Sequence, residues 1–295
     1  ELNWTAKNSD LDKIISSETE LSRSEISEII ENKNCLLNGN TQYKKSTLVK
    51  ADSLLEILIT DEKENKKITK IKYVFIDKDF FVIEKPINLI THKVGKSNKL
   101  SLSENILKDY PEIKDVGEID RNGIVHRLDK DTSGLMIVAR SRKGYKKLKE
   151  MIKNREISRI YTSLVYGKPS LEQAIIDAPI SRDPQNPIKR KVLIGGKESK
   201  TSYKIINSLS GFSLLEVKLF SGRTHQIRVH LDHMGHSVVG DTLYGNKRSE
   251  LERPFLHSSK LEFNHPINGE RMIFISDLPK DLKKYLGEIE WLNKM

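Results

Sequence analysis

Four stretches of this 295-residue sequence gather side chains able to do chemistry. In His126-Arg127-Leu128-Asp129, followed by Asp131, Thr132 and Ser133, a carboxylate lies between a guanidinium and two hydroxyls. Such a loop suits a reactive cleft, although on composition alone loop aspartates more often form an Asx turn in which the carboxylate only closes the loop. Gly222-Arg223-Thr224-His225-Gln226-Ile227-Arg228-Val229-His230 places two arginines five residues apart at the start of an expected helix. They fall on different helix faces, so at most one serves a given pocket, and the helix N-terminus itself favours anions. His225, His230, His233 and His236 crowd the same stretch, but no carboxylate or thiolate set completes a familiar metal pattern. Arg159 and Tyr161 share one face of an alternating segment, as a base-stacking platform or as ordinary half-buried strand residues. Finally, Arg140, Arg142, Lys143, Lys146, Lys147, Lys149, Lys153 and Arg155 surround a single acid, Glu150. A helix this one-sided repels itself unless a polyanion faces it.

These residues need a scaffold, and the sequence outlines one. Tyr73–Ile76 and Phe80–Ile83 read as paired strands across an Asp77-Lys78-Asp79 turn, and Gly134–Ala139 as a buried strand after the Asp129 loop. Tyr145, Leu148, Met151 and Ile152 line one face of a helix over 141–154. Ile157–Tyr166, Lys200–Ile206 and Ser213–Phe220 supply further strands, and Thr224–Met234 is expected to be helical with Thr224 at its start. Without a regular βαβ rhythm, the expected class is α+β with a mixed, largely antiparallel sheet.

Charge divides the chain in two. The whole carries +10, yet residues 1–66 hold nine Lys and Arg against thirteen Asp and Glu, a balance of −4, leaving +14 on 67–295. The polar stretch 61–67 reads as the linker between a small module and a larger domain. In the module, Leu11, Ile14 and Ile15 recur at helical spacing, and Ser22 with Glu25 suggests a capping box for a second helix. Cys35-Leu-Leu-Asn-Gly39 reads as a strand entering a tight turn, with more strand over 47–59. Cys35 is the only cysteine, which excludes intrachain disulfides and fits a reducing, cytoplasmic setting. No apolar run is long enough for a membrane span, so a soluble monomer with a polyanionic partner is expected.

The stretch Gly123–Arg140 resembles the signature of RluA/RluD-type pseudouridine synthases. The likeness continues in order through Tyr161 and Val165-Tyr-Gly167, Pro179-Ile-Ser-Arg-Asp183, Lys200-Thr-Ser-Tyr203 and Gly222–His230. It ends with Gly235-His236, Gly240-Asp-Thr-Leu-Tyr-Gly245 and Leu256-His257, and spans about 72–280. Leu21-Ser-Arg-Ser24 and Leu37-Asn-Gly39 resemble an S4 RNA-binding domain, giving expected domains of 1–66 and 67–295. Arg159 stands where this family usually has Lys, Glu84 replaces a common Asn, and Ile87-Asn88 follows Lys85-Pro86 where a small residue and Gly are typical.

The resemblance implies isomerisation of uridine to pseudouridine in structured RNA, with large-subunit (23S) ribosomal RNA the leading target. That reaction has no redox change and no net hydrolysis, so no cofactor or metal is expected. The resemblance makes Asp129 the essential carboxylate, Arg228 rather than Arg223 its guanidinium partner, and Tyr161 the platform for the target base. Arg127 would fill the stack left by a flipped uridine, while Arg223, Arg159, Arg23, Lys44 and Lys45 would contact RNA. A non-catalytic S4-type RNA-binding protein would share the charge, but has no reason to keep Asp129, Tyr161 and Arg228 in register. A metallohydrolase built on the histidines is the third alternative.

Overall fold

A computed structural model describes residues 2–4, 8–19, 21, 23–42, 44–58, 69–93, 100–245 and 250–292. The chain forms two compact units, Glu1–Asn65 and Lys66–Met295. Residues 61–67, read as the linker, lie outside the described residues except by number, as does Ser22 of the expected capping box.

The first unit runs β1 (Leu2–Trp4), β2 (Ser9–Asp10), α1 (Leu11–Glu18), α2 (Arg23–Glu31), β3 (Cys35–Leu37), β4 (Asn40–Thr41), β5 (Leu48–Val49) and β6 (Ser53–Ile57). Strands β1, β6, β3 and β4 form one antiparallel sheet, and β2 pairs with β5. Leu11, Ile14 and Ile15 of α1 meet Ile26 and Ile30 of α2 over Cys35, Val49 and Leu55. This is the helical spacing put to its ordinary use, one apolar stripe per helix facing a common core. Asn38 and Gly39, both with positive φ, turn β3 into β4.

The second unit is built on a nine-stranded sheet. Its elements are β7 (Lys72–Ile76), β8 (Phe80–Lys85), α3 (Leu102–Asp109), β9 (Ser133–Ala139), α4 (Arg142–Lys153), β10 (Ser158–Tyr166), β11 (Gln173–Asp177), β12 (Ile180–Arg182), β13 (Arg190–Val192), β14 (Lys200–Leu209), β15 (Phe212–Leu219), α5 (Gln226–His233), β16 (Leu256–Asn264), β17 (Arg271–Ile275) and α6 (Lys280–Leu292). A short 3₁₀ turn, Pro111–Asp115, follows α3. The strand order is β11-β14-β15-β10-β16-β9-β8-β7, with β17 also on β16 and the hairpin β12–β13 apart. Every pairing in the sheet is antiparallel except β16 with β9. The α+β class and the mixed, largely antiparallel sheet are therefore both present.

Sequence explains the layering. β9 is buried along its whole length, as its unbroken apolar run requires, while edge strand β7 alternates exposed and half-buried residues. On β10 the alternation turns Arg159, Tyr161, Ser163 and Val165 inward. α4 is capped by the Ser141 hydroxyl, which accepts from Gly144 N at 2.9 Å. The expected start of α5 at Thr224 is shifted: His225 adopts a left-handed conformation, φ 58°, and the helix begins at Gln226. A residue at that φ cannot propagate a right-handed helix.

Two devices fix the Asp129 loop to this frame. Lys85, fully buried at the end of β8, donates to the carbonyls of Pro86 (2.7 Å), Leu89 (2.9 Å) and Lys130 (3.0 Å). All three ammonium protons are thereby used. Burial pushes its pKa down to about 7, against the pull of Asp129 and Asp131. At the loop's far end, Gly134 has φ 114°, and a Cβ there would lie 2.3 Å from Ser258 O. Only glycine lets β9 approach β16 this closely.

Ser133 opens a buried chain of hydrogen bonds. The Ser276 hydroxyl donates to Glu84 Oε1 (2.6 Å) and so accepts from His257 Nε2 (3.1 Å). His257 Nδ1 then accepts from Ser133 (2.9 Å), whose oxygen receives Arg253 Nη1 (3.2 Å). Arg253 also forks onto Asp281 of α6, at 2.6 and 3.0 Å. The chain requires a neutral imidazole, and burial pushes His257 down to about 4. The unfolded chain therefore binds more protons between that value and the ordinary pKa near 6.5, so stability falls as pH drops through this window. Denaturant unfolding at pH 7 and pH 4 should show about 3 kcal/mol more loss in the native protein than in His257→Gln.

Candidate active site

Between the Ile124–Val138 bridge and β9 the chain carries Asp129 on a braced loop. Leu128 is buried and its carbonyl accepts from the Thr91 hydroxyl at 2.8 Å, while Lys85 holds the neighbouring carbonyl of Lys130. The turn itself is closed by backbone, Thr132 N to Asp129 O at 3.2 Å. The carboxylate is thus not taken up by an Asx turn. Its Oδ2 faces Arg228 Nη1 at 3.4 Å and His225 Nε2 at 3.9 Å.

Arg228, on the buried face of α5, has a stronger partner. Its Nε and Nη2 fork onto Asp241 Oδ2 (2.6 Å) and Oδ1 (2.8 Å), and its guanidinium lies 5.0 Å from the centre of the Tyr244 ring. Asp241 has no exposed side-chain surface, and its Oδ1 also accepts from the amides of Leu243 (3.0 Å) and Tyr244 (3.1 Å). Arg228 does face Asp129, but its bidentate fork, two parallel N–H···O bonds, is formed with Asp241. Asp129 receives the remaining Nη1. Burial lowers the pKa of Arg228, but its bonds and charge attraction to Asp241, with Asp129, outweigh this and raise it.

Tyr161 lies beside this pair, 3% exposed, on β10 between Val217 of β15 and Ser258 of β16. Burial raises its pKa, so the phenol stays protonated. Asp129, Tyr161, Arg228, Thr132, His225 and Leu256 line one small cleft, with Arg127 and Arg223 at its mouth. His225 Nδ1 and the Tyr244 hydroxyl are hydrogen-bonded at 2.8 Å, and that hydroxyl accepts from Arg190 N at 2.8 Å. Burial pushes the Tyr244 phenol up to about 12 and lowers the His225 pKa.

The cleft opens into a groove of about 500 Å³ whose lining includes Arg121, Arg127, Lys149, Lys153, Arg155, Arg159 and Arg223. Part of the basic run of the sequence is therefore gathered at one opening. Arg140 is not: it binds Glu112 at 2.9 Å and lies over Phe81 and Tyr110. Lys149 also reaches Glu118 at 3.7 Å, which relieves some of the repulsion along α4. In the first unit, Arg23 and Lys45 line a common groove with Lys13, whereas Lys44 is exposed outside it. The clustered histidines diverge. His230 bonds Thr201 (2.8 Å) and Ala178 O (3.0 Å), His236 bonds Tyr166 O (2.9 Å), and among the described residues no three potential ligands converge.

A family profile described as RNA pseudouridylate synthase matches residues 79–233, which contain Asp129, Tyr161 and Arg228. The chain belongs to that family. The synthase is 41% identical over 208 residues to an RNA pseudouridine synthase of Chloroflexus aurantiacus, covering 70% of this chain and 65% of that protein. It is 32% identical over 282 residues to the ribosomal large subunit pseudouridine synthase D of Zymomonas mobilis, covering 90% and 88%. These likenesses place it among the RluA/RluD-type enzymes, isomerases that modify RNA. In fold it resembles human RNA pseudouridylate synthase domain containing 1, with TM-score 0.58 and 24% identity over 72% of this chain and 85% of that one.

Asp241 and Tyr244 were not singled out as site residues from sequence, and His225 only within the histidine cluster weighed for metal, although Gly240–Gly245 and Gly222–His230 flagged their segments. Asp241→Asn removes the charged fork and leaves a buried guanidinium without its counter-ion. Turnover, followed as tritium release from C5-labelled RNA, should fall on the order of 100-fold in kcat with little change in KM.

Proposed function

We propose that the synthase isomerises uridines of large-subunit ribosomal RNA, with Asp129 as the essential carboxylate. The observation that carries this reading is the position of Asp129: braced by Lys85, facing Arg228 at 3.4 Å, at the inner end of a basic groove. Several relatives that carry the name ribosomal large subunit pseudouridine synthase D support the choice of RNA.

In the reaction the C1′–N1 bond breaks, the base rotates, and a C1′–C5 bond forms; N1 ends with a proton and C5 gives one up. Asp129 acts as its carboxylate, and Arg228 both pairs with that charge and fixes where it points. Tyr161 offers its ring to the target base. A uridine inside a helix must first leave its stack, at a cost of a few kcal/mol, and Arg127 at the cleft mouth fills the place it vacates. Arg223, exposed and lining both cleft and groove, holds phosphate.

The unit 1–66 is read as an S4-like RNA-binding domain, with Arg23, Lys44 and Lys45 toward RNA. Its net acidity suits a device that positions RNA better than one that attracts it. The attraction resides on the larger domain.

Asp129→Asn, nearly isosteric, should abolish tritium release from C5-labelled RNA while RNA affinity stays within about threefold; retained turnover removes Asp129 from its role. Arg228→Lys should reduce kcat far more than Arg223→Lys, since a lysine cannot reproduce the fork on Asp241. The opposite order would assign the carboxylate partner to Arg223.

A further inference from the structure

Among the described residues, three buried side-chain nitrogens without a hydrogen-bond partner belong to residues that line the groove beside Asp129: His92 Nδ1, His126 Nδ1 and Arg159 Nε. Each buried polar atom left unmet costs about 1–3 kcal/mol, so a fold that collects them in one place is prepared for a partner. The protonation of His126 follows from its backbone partner. Ile137 N donates to Nε2 at 3.1 Å, so the neutral ring carries its proton on Nδ1, the atom without a partner. Burial pushes His126 down to about 3, so it presents this single neutral donor at physiological pH.

Arg159 is the unusual member. Only 6% of the residue is exposed, on a strand that otherwise turns Tyr161, Ser163 and Val165 into the core, yet among the described residues no carboxylate pairs with it. An uncompensated guanidinium in such a position is costly, and a bound anion would remove that cost. Its path into the groove passes Gly222, where a Cβ would lie 3.0 Å from Nη1. Gly222 thus leaves the room the guanidinium occupies.

We propose that Arg159 and His126 form a recessed seat for one phosphodiester adjoining the target uridine, distinct from the cations at the rim. The proposal rests on Asp129 being the reacting carboxylate. With His126 Nε2 already accepting from Ile137 N, the unmet nitrogens of both members are donors, one on a charged group and one on a neutral group, which selects a ligand with several anionic oxygens. RNA, the substrate class of this family, supplies that group at every nucleotide. The seat adjoins the chemistry because Arg159 sits two residues from Tyr161 on one strand face, about 7 Å away, and His126 three residues before Asp129. Rim cations such as Arg127 and Arg223 gain most of their effect from charge at a distance. A recessed donor pair instead fixes the register of the backbone, and with it which nucleotide reaches Asp129.

The test is a cycle between protein and RNA, in Asp129→Asn protein so that binding is read without turnover. The RNA is a fragment in which carbodiimide mapping locates the uridine modified by the native enzyme, with a single neutral methylphosphonate introduced at each flanking phosphate in turn. Arg159→Gln should weaken binding of unmodified RNA about tenfold, and lower the slope of log Kd against log salt by about 0.7–1. With the methylphosphonate at one adjoining position, the same substitution should change Kd less than twofold. Equal loss at every position, or an unchanged salt slope, would overturn the seat and leave the recess to water. Arg159→Lys, which keeps the charge but lacks Nε, should retain the salt slope and lose part of the position dependence; unfolding midpoints confirm that both variants are folded. Tritium release by the native enzyme on the same fragment, lost in Asp129→Asn, checks the underlying reading separately.

Discussion

The buried fork between Arg228 and Asp241 is the interaction on which the rest of the site depends. A guanidinium removed from water must be paired and hydrogen-bonded, and a carboxylate with no exposed surface must be as well. Each meets the other's need: two short bonds join them, two amides complete Asp241, and the Tyr244 ring covers the cation. With two of its donor nitrogens fixed, the arginine has a set direction for the third. Asp129 stands in that direction. The Asp129 carboxylate thus faces a cation whose position is already fixed, and a charge held in this way need not reorganise when nearby charge shifts.

Bracing from the other side is equally specific. Lys85 places a fully buried ammonium among three carbonyls, one of them at Lys130, 45 residues away in sequence and two residues after Leu128. Thr91 holds Leu128 O and the close β9–β16 contact holds the loop's exit. A loop would ordinarily fluctuate, but this one is held at both ends and in the middle. The arrangement favours fixed geometry over adaptability at Asp129.

Much of this was legible in the sequence where the signal is local. The paired strands at 72–85, the buried run of β9, the alternation that sets Arg159 and Tyr161 on one face, and the amphipathic α4 follow from periodicity. The ordered string of motifs placed Asp129, Tyr161 and Arg228 in one family. What escaped was partner choice. That Arg228 bonds Asp241, and that Tyr244 meets both Arg228 and His225, depends on how the 240–245 turn folds back on α5. No periodicity encodes such a contact. The start of α5 was misplaced for a related reason: its boundary is set by the left-handed His225, whose conformation is tied to its bond with Tyr244. Likewise the charge run over 140–155 showed an excess but not its division between groove-lining Lys149, Lys153 and Arg155 and Arg140, which pairs with Glu112.

The single parallel pairing in the sheet has a consequence in time. β9 meets β16 at Ser133–His257 and Gly134–Ser258, and Ser133 is tied through Arg253 to Asp281, so the exit of the Asp129 loop leans on chain more than 120 residues downstream. During synthesis at roughly 5–20 residues per second, those contacts form many seconds after Asp129 has left the ribosome. A nascent chain can build β7, β8 and β9 as a local sheet and still lack the buttress that sets its carboxylate. Assembly of this cleft is therefore a late property of the polypeptide, reached only when distant segments have closed on one another.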